Sequence, residues 1–394
     1  MHNLGLYLSI PFCRSKCTYC NFASGVFPAS SMERYIERIE QDLHAIRKLA
    51  AQWGAVIPEI ADSIYLGGGT PSLLPPPLLH RLFAALRREF AVLPSAEITV
   101  ECAPGQLDDA ALAAMAECGV NRISFGVQSF VDAEAKHAGR LHTRAIVLRD
   151  VERVRQAGIR SINLDLIAGL AGQTDASWRE SLEVLASAAT DHASIYMLEV
   201  DDDSRLGREV GSGGLKYYAP QVPPDDLIAE MYIEAAEFLA ARGLPQYEIS
   251  NFARPGAESL HNLKYWQRKV YLGLGLDAHS MLRIQAGAAM RFSTTDELEP
   301  FLKNAGWDDV HKLAKEEELE EAWFLGLRLN RGVDLAVMKA EFGAQAVSGF
   351  DPILDEMGKD GFLEHTSDTV KLTEHGRLLS NEVFEQFLHE PALI

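Results

Sequence analysis

Three cysteines, Cys13, Cys17 and Cys20, stand close together in the run "IPFCRSKCTYCNF", in a chain that holds only two others. A zinc site takes four ligands, usually with cysteines paired two residues apart, so this trio would need a distant histidine to hold zinc. A better match is a [4Fe-4S] cluster held by three thiolates, with the fourth iron open to an external ligand. A missing fourth thiol is what a reactive cluster requires. Cys102 and Cys118 are isolated, and free cysteine packs well as a small hydrophobe, so both are expected in the core. Five cysteines so unevenly spread do not make a disulfide framework, and a reducing compartment leaves them as thiols.

Other residues stand out by type. The run "LGGGTPS" (66–72) has three glycines that permit close backbone approach and exposed N–H groups. It reads equally well as a tight turn from strand to helix, helped by Pro71. Asp165 interrupts the apolar run "SINLDLI", where an unpaired carboxylate would be costly. Glu101, closing "EITVEC", is similar.

These residues must be positioned by the elements around them. Six β-type runs alternate with helical ones: "LGLYLSI" (4–10), "DSIYLGGG" (62–69), "EITVEC" (97–102), "RISFGV" (122–127), "SINLDLI" (161–167) and "HASIYML" (192–198). They are apolar nearly throughout, as strands buried on both faces should be. Helices are expected from an N-cap at Ser31, with Met32, Tyr35, Ile36, Ile39, Leu43 and Ile46 on one face, and near 76–90, 108–118, 143–157 and 175–188. Repeated strand–helix units imply an α/β fold with a parallel sheet, either doubly wound or a partial barrel. In both, function collects at the C-terminal ends of the strands. The cysteines, "GGGTP", Glu101, Gln128 and Asp165 all fall there, after or late in successive strands.

Residues 201–310 read as a linker, loop-like over 201–224, then a helix (225–242) and an irregular aromatic stretch. From about 316 a helix, two shorter helices, a hairpin-like segment and a last helix suggest a small winged-helix-like α+β appendage over 311–394. That appendage holds 8 Lys/Arg against 17 Asp/Glu, a net of −9, which argues against DNA binding. The whole chain of 394 residues carries −19, so nucleic acid and anionic membrane are poor partners for it. No apolar run approaches the roughly 20 residues of a membrane span. With no evident signal peptide at the start, the cytoplasm is the expected compartment.

C-x3-C-x2-C directly after a first strand, followed by "GGGTP" after the second, resembles the radical S-adenosylmethionine (SAM) superfamily; Tyr19, between the second and third cysteines, adds to the likeness. The resemblance implies a partial (β/α)6 barrel over residues 1–200. It also implies that the amino and carboxylate groups of SAM fill the open iron position, that one electron cleaves the sulfonium to a 5′-deoxyadenosyl radical, and that an electron donor serves the cluster. The runs "YLSIPFCRSKCTYCNF", "YLGGGTPSLL", "ECAPG", "RISFGVQSF", "GRLHT" and "INLDLIAGLAGQT" are similar to the branch that holds oxygen-independent coproporphyrinogen III oxidase and the heme chaperone HemW. By that likeness Tyr7, Tyr19, Gly68 and Glu101 contact cluster-bound SAM, and Gly69, Thr70, Gln128, Arg140 and Asp165 match contacts of a second SAM. By charge alone Arg140 would pass for a surface residue.

Within the branch the oxidase pattern has a further cysteine two residues after the third, where this chain has Phe22, and an arm before the first strand, where this chain has a few residues. "HNLKYW" (261–266) matches the H-N-x-x-Y-W motif proposed for heme binding in HemW. His261 would be the axial ligand of heme iron, and Tyr265 and Trp266 flat surfaces for the porphyrin. By composition alone, a core histidine beside buried aromatics is the commoner arrangement. His279, in "YLGLGLDAHS", is a second candidate, with Asp277 where the family has glycine. Ala103 likewise stands where the family's E-x-N-P-G has asparagine. The expected role is that of a heme carrier handing heme to an acceptor protein, any membrane contact coming through that acceptor. The alternative is radical decarboxylation of coproporphyrinogen III.

Overall fold

The computed structural model describes residues 3–202, 204–303 and 306–388. Six strands, β1 (Leu4–Ile10), β2 (Ile60–Gly68), β3 (Ala91–Cys102), β4 (Arg122–Gln128), β5 (Ser161–Ala168) and β6 (His192–Met197), lie parallel and adjacent in chain order. Helices α1 (Ser30–Gln52), α2 (Pro76–Glu89), α3 (Asp109–Glu117), α4 (Asp132–His137), α5 (Arg144–Gln156) and α6 (Asp175–Ser187) connect them. This is the partial (β/α)6 barrel. It does not close, because β6 pairs with the antiparallel strand Asn251–Ala253 and the free side of β1 takes Tyr271–Gly275 in parallel. α4 was not expected, and α1 begins one residue before Ser31: its cap is Ala29, with no side-chain bond, and Ser31 is buried in the first turn.

The strands are not apolar on both faces. In β1, Leu4, Leu6, Leu8 and Ile10 are fully buried in the main core, whereas Tyr7 and Ser9 alternate with them on the other face. The same alternation sets Thr99 and Glu101 against Ile98, Val100 and Cys102, and Asn163 and Asp165 against Leu164 and Leu166. Register aligns the polar set: Tyr7 beside Tyr65, Tyr65 beside Thr99, Glu101 beside Ser124, and Asp165 beside Ser194. One face therefore seats the helices and the other is a polar, aromatic lumen. The side-chain period of two was present in the sequence, but the intervening residues include Tyr, Ser and Thr, which do not break an apolar-looking run.

Residues 201–310 are not merely a linker. A helix, Arg205–Ser212, interrupts the loop-like part, and the expected later helix runs Asp225–Ala240. The short strands Gln246–Glu248 and Asn251–Ala253 extend the sheet at one edge; Tyr271–Gly275, Ser280–Ile284, Ala289–Thr294 and Trp307–Lys312 extend it at the other. Strands so short and interrupted by glycine give no readable period. The C-terminal α+β part has its own core around Trp323, Leu327, Phe350, Val370 and Phe387. Three helices rather than two follow Lys315–Leu327, and the expected last helix is broken at Leu379. Among the described residues, no helix is long and apolar enough to cross a membrane.

Candidate functional site

The loop after β1 carries Cys13, Cys17 and Cys20, all partly buried and all free thiols. It is tied down on three sides. It closes on itself through Cys13 N–H to Gly25 O (2.9 Å) and Gly25 N–H to Pro11 O (2.9 Å). It docks on the loop after β2, where Gly69 N–H donates to Ile10 O (2.9 Å) and Thr70 N–H to Phe12 O (2.8 Å). It meets the chain after α4 through Thr18 N–H to Ala138 O (3.2 Å).

The glycine run owes its composition to this contact. Gly68 has φ +96°, a left-handed conformation that side chains rarely take, and a Cβ on Gly69 would meet Ile10 O at 2.7 Å. Since the Gly69 and Thr70 N–H groups bond the cysteine loop, they are not exposed donors as the sequence suggested. The Thr70 hydroxyl stands 3.9 Å from Cys13 Sγ. The run is the tight turn from β2 into the short helix Pro71–Leu73, and its close backbone approach is made to the cysteine loop.

Arg140 is no surface charge. Its Nη1 donates to Cys17 Sγ at 3.3 Å and its Nη2 to Gly126 O at the end of β4. Tyr19 packs with Ala138, Ile167 and Leu170 beside Cys17. Burial pushes the Cys13 and Cys20 thiols up, opposed for Cys13 by the Ser24 and Thr70 hydroxyls and for Cys20 by the Phe22 backbone. Among the described residues, no three His, Cys, Asp or Glu side chains converge on a point that suits a single metal ion. Three separated thiols on one braced loop fit a polynuclear cluster with each thiolate on its own iron.

The lumen beneath this loop holds the two expected carboxylates. The Tyr65 hydroxyl donates to Glu101 Oε1 at 2.9 Å, and burial raises the Glu101 carboxyl to about 7. Asp165 accepts from the Asn163 amide (2.6 Å) and the Ser124 hydroxyl (3.4 Å), and burial raises it as well. Gln128 is 8% exposed, sits at φ +72°, and its Oε1 has no partner. A non-glycine residue held left-handed with an orphan acceptor is uncommon in a folded chain. Tyr7, Gly68, Glu101, Gln128, Arg140 and Asp165 are thus gathered at the rim and the lumen just below it. Sequence reading missed Tyr65, which holds Glu101, and the inward-facing Arg122 and Tyr196; only strand alternation pointed to them.

His261 is placed elsewhere. It lies on the helix Leu260–Trp266, whose first N–H groups are capped by Glu97 near the N-terminal ends of the strands. It is fully buried, its Nδ1 lies 3.0 Å from the Ser63 hydroxyl and its Nε2 2.8 Å from the Tyr265 hydroxyl. Burial lowers it to about 3, so the imidazole is neutral. As folded, it presents no free nitrogen to heme iron. Trp266 meets Tyr265 edge-on, with ring centroids 6.2 Å apart, and is covered by the Arg328 guanidinium, 4.2 Å from the ring centroid, so it is not a second open face. His279 is exposed and lines an open cavity of about 260 Å³ with Asp277, Tyr271 and Tyr265. Phe22 and Gly68 form the cavity's upper wall, so it joins the cysteine loop to the aromatic segment. Asp277 takes the left-handed conformation (φ +52°) that explains why glycine serves at this position.

Residues 7–185 match the family profile described as Radical SAM superfamily, and residues 313–379 match that of the HemN C-terminal domain. Over 393 residues the chain is 33% identical to the heme chaperone HemW of Bacillus subtilis, covering 98% of this chain and 99% of that protein. The chain belongs to the HemW family of radical SAM proteins. It is also 32% identical to the heme chaperone HemW of Escherichia coli, over 98% of both chains. In fold it is similar to the coproporphyrinogen III oxidase HemN of Escherichia coli, with a TM-score of 0.81, 22% identity, and coverage of 98% of this chain and 90% of that one. That likeness spans the barrel and the C-terminal part together.

Proposed function

We propose that this member of the HemW family is a heme chaperone: it binds a [4Fe-4S] cluster, SAM and one heme, and passes the heme to an acceptor protein. The observation that carries the reading is the cavity that runs from the cysteine loop to Tyr265, Tyr271 and His279. It sets flat aromatic surfaces and an exposed imidazole beside the place where cluster and SAM would sit. Cys13, Cys17 and Cys20 would hold the cluster. Tyr7, Tyr19, Gly68 and Glu101 would border one SAM, and Gly69, Thr70, Gln128, Arg140 and Asp165 a second. The cluster, when bound, supplies an electron to SAM from a donor protein.

For heme the geometry supports two ligands in order. His279, exposed on the cavity wall, would be the first to hold the iron. His261 lies behind Tyr7 and Tyr265, which line the cavity, and its Nε2 becomes available once the Tyr265 hydroxyl leaves it. Phe22 offers no ligand atom where the oxidase pattern has cysteine, and it is 65% exposed at the cavity mouth. That favours the carrier over the decarboxylase.

Anaerobic heme titration of the cluster-loaded protein tests this. A Soret band is expected, lost in the His261→Ala, His279→Ala double variant. Tyr265→Phe frees Nε2 and is expected to tighten binding several-fold. No Soret band, or one unchanged in the double variant, counts against the carrier. Conversion of coproporphyrinogen III by the loaded protein would favour the oxidase instead.

A further inference from the structure

Arg122 opens β4, is 3% exposed, and its Nε has no hydrogen-bond partner. Among the described residues, no carboxylate is within ion-pair distance of its guanidinium, and no hydrogen bond of its side chain is formed. Its register neighbour on β3 is Thr99, fully buried, whose Oγ1 also has no partner. Tyr65 adjoins Thr99 on β2, so Tyr65, Thr99 and Arg122 form one tier of the lumen. The tier of Glu101 and Ser124 stands one step nearer the rim, about 7 Å away at two strand residues.

A buried cation without a paired anion is costly. A buried hydroxyl without a partner adds to that cost. The nearby carboxylates do not relieve it, since Glu101 is held by Tyr65 and Asp165 by Asn163 and Ser124. Strand alternation puts Arg122 on the same face as Ser124, and so in the same lumen as Glu101. His192, on the far side, bonds Asn163 and Tyr247 and offers no acceptor. Two adjacent orphan polar groups on one tier, one of them cationic, are the recognition half of an anion site.

We infer that Arg122 and Thr99 form a receptor for a ligand carboxylate that enters the lumen from the rim. The guanidinium binds the carboxylate by charge-assisted hydrogen bonds, and the Thr99 hydroxyl donates one more. One ligand of this protein's proposed function carries such a group free: heme, through its propionates, since the open iron takes the methionyl carboxylate of SAM. The inference therefore rests on the chaperone reading.

The experiment uses cluster-loaded full-length protein and one matched pair of probes, heme and heme dimethyl ester, followed by absorbance. The wild type is expected to prefer the free acid at least tenfold. Arg122→Gln and Thr99→Val are expected to shrink that preference, and Arg122→Lys to keep most of it. Because the wild-type ratio is read without any variant, a variant that fails to fold does not stop the test. Equal binding of acid and ester overturns the inference alone, as does a preference that Arg122→Gln leaves intact. Failure to bind either form overturns the inference together with the chaperone reading.

Discussion

Glu101 shows how one residue couples the site to solution conditions. Its carboxyl is raised to about 7 in the folded chain, chiefly by burial. Below the unfolded value near 4.5 it is protonated in both states and costs nothing. As pH rises from there to about 7, only the unfolded chain ionises freely, so the ligand-free protein loses stability, on the order of 3 kcal/mol in all. Glu101→Gln removes that term. Denaturant titrations from pH 4.5 to 7.5 should show the wild type losing stability relative to the variant, and parallel curves would contradict the raised carboxyl. At this scale the sequence was legible where a residue's type jars with its neighbours. Three crowded thiols and a carboxylate in an apolar run announce themselves. Arg140 and Arg122 do not, because nothing local tells a surface arginine from one folded against Cys17 Sγ or into a barrel. His261 was legible as a motif, but its burial and the Ser63 hydroxyl on its Nδ1 come from strands far away in the chain, and only the folded helix turns the Tyr265 hydroxyl onto its Nε2.

Among the elements, the turn from Tyr271–Gly275 to Ser280–Ile284 carries the clearest strain. Asp277 sits there at φ +52°, its N–H bonded to Thr295 O at 2.9 Å. Its carboxylate lies 3.8 Å from His279 Nε2, and both side chains are largely exposed, so the pair contributes little. Asp277→Gly keeps the backbone bond and relieves the left-handed conformation, which is worth about 1 kcal/mol. The variant should melt a few degrees higher by calorimetry; a lower melting temperature would mean that the Asp277 side chain holds the turn in some other way. The six parallel strands and four of the five expected connecting helices were readable because each is long and periodic; α1 was readable too, apart from its cap. The edge strands of residues 246–312 were not, because runs of three to six residues take their partners from the sheet rather than from their own pattern.

The whole molecule has a large core under the barrel strands and a second one in the C-terminal part. Trp323 is fully buried in the second, stacked on Phe387 at 5.3 Å and near Phe350 at 5.7 Å. Trp323→Ala should cost about 3–5 kcal/mol there. The barrel core does not include it, so hydrogen exchange should quicken in residues 315–388 while β1 to β5 stay protected. Equal loss of protection in both parts would show that they unfold as one unit. The same exchange pattern tests the proposed boundary near residue 310.

The central claim is that Cys13, Cys17 and Cys20 together hold an iron–sulfur cluster with one iron left for SAM. Its most direct test is iron and acid-labile sulfide analysis of oxygen-free reconstituted protein, with electron paramagnetic resonance of the reduced cluster before and after SAM is added. Iron and sulfide in equal amounts are expected, with a signal that SAM alters, and both elements are lost when any one of the three cysteines becomes alanine. Protein that takes up neither element, or that keeps both after all three cysteines are replaced, would contradict it.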